Sequence, residues 1–318
     1  MSPPRHRPAQ RGAALLLAMV ILTVISTMAA GMIWQQWRSA QAESAERARA
    51  QASWILSGAL DWARLILRED ARNGGADHLG EPWAVPLAEA KLSTFLAAAA
   101  GDGAQDVDLS AFLSGTISDE LSKFNLRNLV QDGKWQLRQQ QTLEALGNKV
   151  GLAPALIARI IESLQRAWVR GEASNTDSIE IGPEKLSDLA WLGLEPDSLE
   201  ALRPWITLLP THTPININTA SGALLAAAVE GLDAAAASRL EEARRQTPFR
   251  SLDQAANFLP RRADGQTSAG LTVSSNFFEV VGRIRLEDRI MQERSLVERR
   301  QLDVIIRQRE RLPLPSKH

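Results

Sequence analysis

Cysteine is absent from the 318-residue chain. That removes disulfide frameworks, thiolate metal centres and cysteine nucleophiles together. The absence is compatible with the periplasm without proving it. Tyrosine is absent too, although there are nine tryptophans, an imbalance with no physical account. Neither sign of charge is in excess: 36 Lys and Arg face 37 Asp and Glu, a net charge of −1. The basic surplus of a general nucleic-acid binder is therefore missing. No P-loop, Gly-x-Ser-x-Gly elbow or dinucleotide fingerprint occurs. The four histidines, His6, His78, His212 and His318, are isolated and lack metal-ligand spacing. No catalytic, cofactor-binding or metal residue is assigned, and no enzyme activity is expected. What is present is a 45% hydrophobic chain long enough for two domains and a real core.

The most informative absence is local. From Gly12 to Ile33 there is no charged residue. As a helix this run spans the ~30 Å hydrocarbon core of a bilayer. A cleaved secretory signal has an apolar region of only about 7–15 residues, so Ala29-Ala30-Gly31, which mimics a cleavage site, follows a run that is too long. Arg5, Arg7 and Arg11 precede the run and hold the N-terminus in the cytoplasm. Trp34 and Trp37 follow it, where indole rings favour the headgroup zone. No proline occurs from Gln35 to Asp70, and the stretch is rich in Ala, Arg, Glu and Leu, so the helix continues. Trp54, Gly58, Trp62 and Leu65 fall on one face of it. Asn73-Gly74-Gly75 ends it.

Further along, "GTISDE" and "KFNLRNL" read as two short strands or a strand and a turn. Residues 136–270 are helical with turn breaks. Leu143, Leu146, Val150, Leu156, Ile160 and Leu164 recur mostly at helical spacing, Gly147-Asn148 and Gly151 divide them into two helices, and Pro154 suits the first turn of the second. Two more short helices are separated by Gly193–Pro196. Three more are expected at 220–229, 233–246 and 251–259, the first capped by Thr219 or Ser221 and the last by Ser251. The hydrophobic period then changes to two. Ile284 and Leu286 alternate with Arg283, Arg285 and Glu287, and Leu302, Val304 and Ile306 share another face. With "RIMQERSLVERR" between them, an antiparallel three-strand meander is expected, its outer arginines guarding against edge pairing.

Several of these stretches carry a family resemblance. Arg11-Gly12 before a long apolar helix resembles the leader of type IV pilins and pseudopilins. The resemblance implies cleavage between Gly12 and Ala13 by a prepilin peptidase and N-methylation of Ala13. The glutamate usual at the fifth mature position is replaced by Leu17, as in the K pseudopilins of type II secretion systems. "DHLGEPWA" (Asp77–Ala84) and "ISDELSKFNLRNL" (Ile117–Leu129) resemble the K pattern of an acidic residue near Glu-x-Trp, followed by Ile-x-Asp-Glu-x-x-x-Phe-Asn-Leu-x-x-Leu. "WITLLPTHTPININTA" (Trp205–Ala220) matches its Asn-x-Asn-Thr-Ala segment.

The implied fold is α+β: a pseudopilin with a long N-terminal transmembrane helix, a C-terminal antiparallel sheet and an inserted all-helical domain. The expected organisation is leader 1–12, transmembrane helix 13–34, periplasmic helix 35–72, first part of the head 73–135, insert 136–270, β-meander 271–311 and tail 312–318. The implied role is that of a non-enzymatic minor pseudopilin. It would sit at the tip of the periplasmic pseudopilus with minor pseudopilins I and J, start assembly and support export across the outer membrane. The chain would be a single-pass protein of the bacterial inner membrane, N-terminus cytoplasmic and head periplasmic.

Two readings compete in detail. "PININTA" and the residues after it also resemble the helix-hairpin-helix of DNA-uptake and repair proteins, whose Gly-x-Gly turn offers backbone N–H groups to a phosphate. Here the turn is Gly231-Leu232-Asp233, with a carboxylate where the phosphate would lie, and Glu230, Glu241 and Glu242 offset Arg239, Arg244 and Arg245. A packing role is expected and no nucleic-acid partner. Calcium is bound by some K pseudopilins. Asp102, Asp106 and Asp108 offer oxygens but lack EF-hand order, so a solvated loop is expected. The family's acidic run after the first insert helices is replaced by Glu162–Gly171, leaving Asp177, Glu180 and Glu184 as the nearest acids.

Overall fold

The computed structural model describes residues 11–94, 111–170, 182–260, 270–286 and 289–312; side chains at 11, 12 and 170 fall outside the description. The chain divides into two units, one ending at Ile55 and one beginning at Leu56. Helix α1, Arg11–Asn73, passes through both.

In the first unit the apolar run is exposed along its whole length, with Leu15, Leu16 and Leu22 about two-thirds accessible. Its two threonines are satisfied within the helix. The Thr23 hydroxyl donates to the Met19 and Val20 carbonyls and the Thr27 hydroxyl to Val24. A hydrocarbon environment demands this internal satisfaction. Beyond Trp37, Arg47 pairs with Glu43 and Arg49 with Glu46 one turn apart, which suits a helix in water.

The second unit contains a five-stranded antiparallel sheet: β1 (Leu87–Lys91), β2 (Ala111–Asp119), β3 (Phe277–Leu286), β4 (Arg289–Arg300) and β5 (Asp303–Leu312), neighbours in that order. The expected C-terminal meander is thus present, extended by two strands from upstream. Asp119 is in register with Phe278, so the chain leaves β2 and re-enters at β3 beside the same spot. A large insertion between adjacent strands leaves the sheet's pairing intact, because its ends are already close together.

The C-terminal end of α1 packs on this sheet through Leu56, Leu60, Ala63 and Leu67. Leu60, Ala63 and Leu67 share a core with Trp83, Phe278, Val280, Val297 and Val304. The face of α1 that carries Trp54, Trp62 and Leu65 is an exposed one: Trp54 is 79% exposed and Leu65 49%. Leu and Ala allow a close helix-sheet approach over Gly282, where an added Cβ would lie 3.1 Å from Leu56 Cδ2. The expected apolar face of β5 is corrected. Val304 is buried, but Leu302 lies in the β4–β5 turn and Ile306 on an edge strand, and both are over one-third exposed. The sheet arginines are more than edge guards: Arg294 pairs with Glu279, Arg307 with Glu298 and Arg309 with Glu293.

Between β2 and β3 lie α2 (Leu137–Lys149), α3 (Pro154–Gln165), α4 (Pro196–Leu202), α5 (Gly222–Ala228) and α6 (Ala234–Gln246), with a 3-10 segment at Leu186–Leu192. Pro154 and Pro196 start their helices, where a missing N–H costs nothing. Ser221 caps α5 and Asp233 caps α6. The helix expected at 251–259 is instead a run of tight turns, with Gln254, Ala255 and Phe258 donating three residues back. The core of this insert draws on Phe124, Leu126 and Leu129 as well as Leu146, Leu164 and Leu240. It therefore begins upstream of residue 136. The insert is also not purely helical: Ile206–Thr207 runs parallel to Phe124–Asn125, and Ile215–Asn216 parallel to Leu271–Thr272.

Candidate functional site: a buried polar hub where three motifs meet

Asp77–Ala84, Ile117–Leu129 and Trp205–Ala220 lie far apart in sequence, and the fold brings them together where the insert joins the sheet. At the end of β2, Asp119 caps the following 3-10 turn by accepting the Leu121 N–H at 2.7 Å. Its other oxygen accepts from Thr219 Oγ1 at 2.5 Å, Ser275 Oγ at 2.6 Å and Asn216 Nδ2 at 3.0 Å. One fully buried carboxylate thus binds the point of exit to the point of return. Burial raises its pKa to about 6, although all four hydrogen bonds pull the other way.

The asparagines of two motifs act as substitutes for backbone. A primary amide both donates and accepts, so it can complete a ladder where no strand runs. Asn125 accepts from the Arg127 and Leu209 N–H groups and donates to the Thr211 carbonyl and Thr213 Oγ1. Asn128 exchanges both bonds with Thr213, and Asn218 does the same with Phe249. Asn216 donates to the Asp77 carbonyl, Asp119 and Ser275, and accepts from the Asn218 N–H. These residues are buried or nearly so, where an unmade hydrogen bond costs about 1–3 kcal/mol.

The third motif adds a charged border. Trp83, 1% exposed, sits edge-on to Phe278 with ring centroids 5.2 Å apart. Its indole N–H donates to Glu81 Oε2 at 2.7 Å, and the His78 N–H donates to the same oxygen at 3.0 Å. Arg299, from the end of β4, reaches Asp70 on α1 and Asp77, each at 2.5 Å, and the Ser275 carbonyl at 2.7 Å. Burial pushes the Asp77 carboxyl up against the pull of Arg299, and pushes Glu81 up to about 7. Asp70, Ser275 and Arg299 were not singled out in the sequence. An inward Arg299 has no signature in a strand already rich in arginine.

A second ionic group lies nearby: Lys123 bonds Glu120, and Thr207 donates to Glu120 as well. Burial lowers the Lys123 pKa, but the Glu120 and Glu279 carboxylates more than offset it.

Asp70, Asp77 and Glu81 form the group of carboxylates spaced for a metal ion among the described residues. Arg299 supplies a cation to Asp70 and Asp77. Asp102, Asp106, Asp108, Asp177 and Glu180 lie outside the described residues, as do His6 and His318. Glu184 donates its N–H to Asp188. His78 Nδ1 accepts the Gly80 N–H within its own loop, and His212 bonds the Val130 carbonyl 82 residues away.

In the helix-hairpin-helix-like segment, Asp233 accepts the Ala236 N–H at 2.6 Å. The helix start that would face a phosphate is thus occupied by the chain's own carboxylate. Arg244 is turned inward onto the Ile217 carbonyl, and Arg245 pairs with Glu242. Gly12 and Ala13 lie in the first turn of α1, with Ala13 exposed. From Ala13 the helix is long and apolar enough to cross a membrane, with mean hydropathy 2.4 over its most apolar window and none of that window buried.

Comparison with known proteins gives a consistent picture. The model of the family described as type II secretion system, protein K, matches residues 215–274. Type II secretion system protein K of Pseudomonas aeruginosa is 28% identical over 306 residues, 89% of this chain and 87% of the relative. The protein of that name from Pectobacterium carotovorum is 25% identical over 328 residues, 92% and 93% of the two chains. Among solved structures, the GspK–GspI–GspJ complex of the enterotoxigenic Escherichia coli type 2 secretion system contains a chain of the same fold. Its TM-score is 0.60 at 20% identity, covering 85% of this chain and 98% of that one.

Proposed function

We propose that the chain is a protein K of a type II secretion system, the minor pseudopilin at the tip of the periplasmic pseudopilus. There it joins minor pseudopilins I and J to start pseudopilus assembly and so supports protein export. The observation that carries this reading is α1. One helix supplies an uncharged, wholly exposed run of membrane-spanning length and, at its other end, Leu60, Ala63 and Leu67 for the core of a folded sheet unit. The solved relative named GspK was crystallised with GspI and GspJ, which supports those partners.

In this reading the N-terminus is cytoplasmic, α1 crosses the inner membrane once and the sheet unit is periplasmic. Prepilin peptidase cuts between Gly12 and Ala13 and Ala13 is methylated. Leu17 fits a tip position. A carboxylate in the bilayer is costly without a partner, and a subunit with none above it has no amine to pair with. The role is structural: no catalysis, cofactor or nucleic acid is involved, and calcium is not required by the residues described.

Intact-mass and N-terminal sequencing of membrane-extracted protein tests the processing. A chain beginning at methylated Ala13 is expected, and an intact Met1 or a cut near Gly31 contradicts it. Co-purification with the I and J heads tests the partners, and absence of a ternary complex counts against the tip assignment. A salt-dependent mobility shift on duplex DNA would favour the helix-hairpin-helix reading instead.

A further inference from the structure

The end of α1, the 77–81 loop and the end of β4 meet in a seam holding three carboxylates and one guanidinium. One oxygen from each of Asp70, Asp77 and Glu81 lies within 4.8 Å of the others. Arg299 grips Asp70 and Asp77, whereas among the described residues Glu81 is held by the Trp83 indole and the His78 N–H. Asp77 Oδ2 accepts the Ser275 N–H, and the Ser275 hydroxyl continues the network to Asp119. The titratable and charged groups facing the seam are Asp70 from α1, Asp77, His78 and Glu81 from the loop, Asp119 from β2 and Arg299 from β4. The segment at Ser274–Ser275 brings only hydroxyls and backbone. An open cavity of about 250 Å³, lined by Asp70, Gly74, Asp77, Glu81 and Arg299, admits solvent to it.

Three ionised carboxylates against one guanidinium leave two negative charges in a half-buried site. Crowded like charges resist ionising together, and the last proton belongs to the group rather than to one residue. We propose that this seam is a proton-operated clasp: with one proton shared between Asp77 and Glu81, beside the Asp70–Arg299 pair, it stays closed, and loss of that proton at higher pH loosens the loop from α1 and from the sheet. The directions agree. Burial raises both Asp77 and Glu81, the latter to about 7. A carboxyl whose folded pKa is raised stabilises the fold below its unfolded value, and that contribution fades as pH climbs to the folded one. The clasp is therefore tight in mildly acidic conditions and weakens toward and above neutrality. This inference does not depend on the proposed function.

Hydrogen exchange on the full chain in detergent micelles, corrected for intrinsic rates, tests it. Between about pH 5.5 and about pH 8, amide protection over residues 74–81 and 273–276 is expected to fall about tenfold in the unaltered protein. Protection over 280–284 in β3 should stay constant. Glu81→Gln and, independently, Asp70→Asn should remove the pH dependence by relieving the crowding. Equal protection at both pH values, or the same fall in both variants, overturns the proposal. Should a variant fail to fold, a carbon-13 carboxyl titration of the unaltered chain decides: Glu81 titrating at the ordinary glutamate value also overturns it.

Discussion

The first twenty residues of α1 beyond Ala13 and the hub around Asp119 invert the usual arrangement in opposite ways. The helix puts Leu, Ile, Val and Met outside, with Leu16 and Leu22 about two-thirds exposed. The hub puts Asp119, Asn216 and Asn218 inside, each at most 2% exposed. Both are costly in water and both are resolved by partners. The helix satisfies its own backbone and its two threonines, and leaves an apolar surface that only lipid or other apolar helices can cover. The hub satisfies the Asp119 carboxylate and its amides with one another. An apolar surface needs only a solvent of the right kind, whereas a buried polar network needs every member in place.

That contrast orders the predictions. Trp83→Ala removes the aromatic wall between hub and sheet core and should cost about 4 kcal/mol, read from the denaturation midpoint of the full chain in micelles. Leu22→Arg attacks the other region: a charge near the bilayer centre costs about 3 kcal/mol, and should shift the chain from the alkali-resistant membrane pellet to the supernatant. Asn216→Ala strips the Asp77 carbonyl, Asp119 and Ser275 of a shared donor, for about 3 kcal/mol in the same denaturation assay. An apolar swap such as Leu22→Ile should by contrast leave membrane retention unchanged.

The effect of pH on Asp119 is smaller. Its folded pKa of about 6 lies above the ordinary 3.8, so its contribution is complete below pH 3.8 and is lost as pH rises to about 6. We expect stability to fall by about 2 kcal/mol over that interval, and Asp119→Asn to flatten the curve. Smallest is Asp233→Ala, which removes one helix cap and should cost about 1 kcal/mol with no change in the hub.

Much of the fold was legible because it rests on periodicity. The uncharged run, the helix stop at Asn73-Gly74-Gly75 and the period-two strands each follow from local spacing. The Pro154 start and the Ser221 cap were legible for the same reason. The rest turned on packing between equivalent faces. The sequence left the core face of α1 undecided; Leu60 and Ala63 take it, rather than Trp62 and Leu65, because the helix rests close above Gly282. Leu302 and Ile306 alternate correctly but sit in a turn and on an edge. Ser251 begins tight turns rather than a helix.

Of the hub, the sequence offered its motifs but not their meeting. Asp119, Asn216 and Trp83 were in the quoted stretches, while Asp70, Ser275 and Arg299 were not. By itself the sequence determined an anchor, a helix running on from it, a helical insert and a closing sheet, because hydrophobic period and turn chemistry are properties of neighbours along the chain. Only the tertiary structure decided that the insert leaves and returns at adjoining strands, and that one buried carboxylate fastens both ends. Hydrogen bonds between residues 119, 216 and 275 depend on distances that no local pattern encodes.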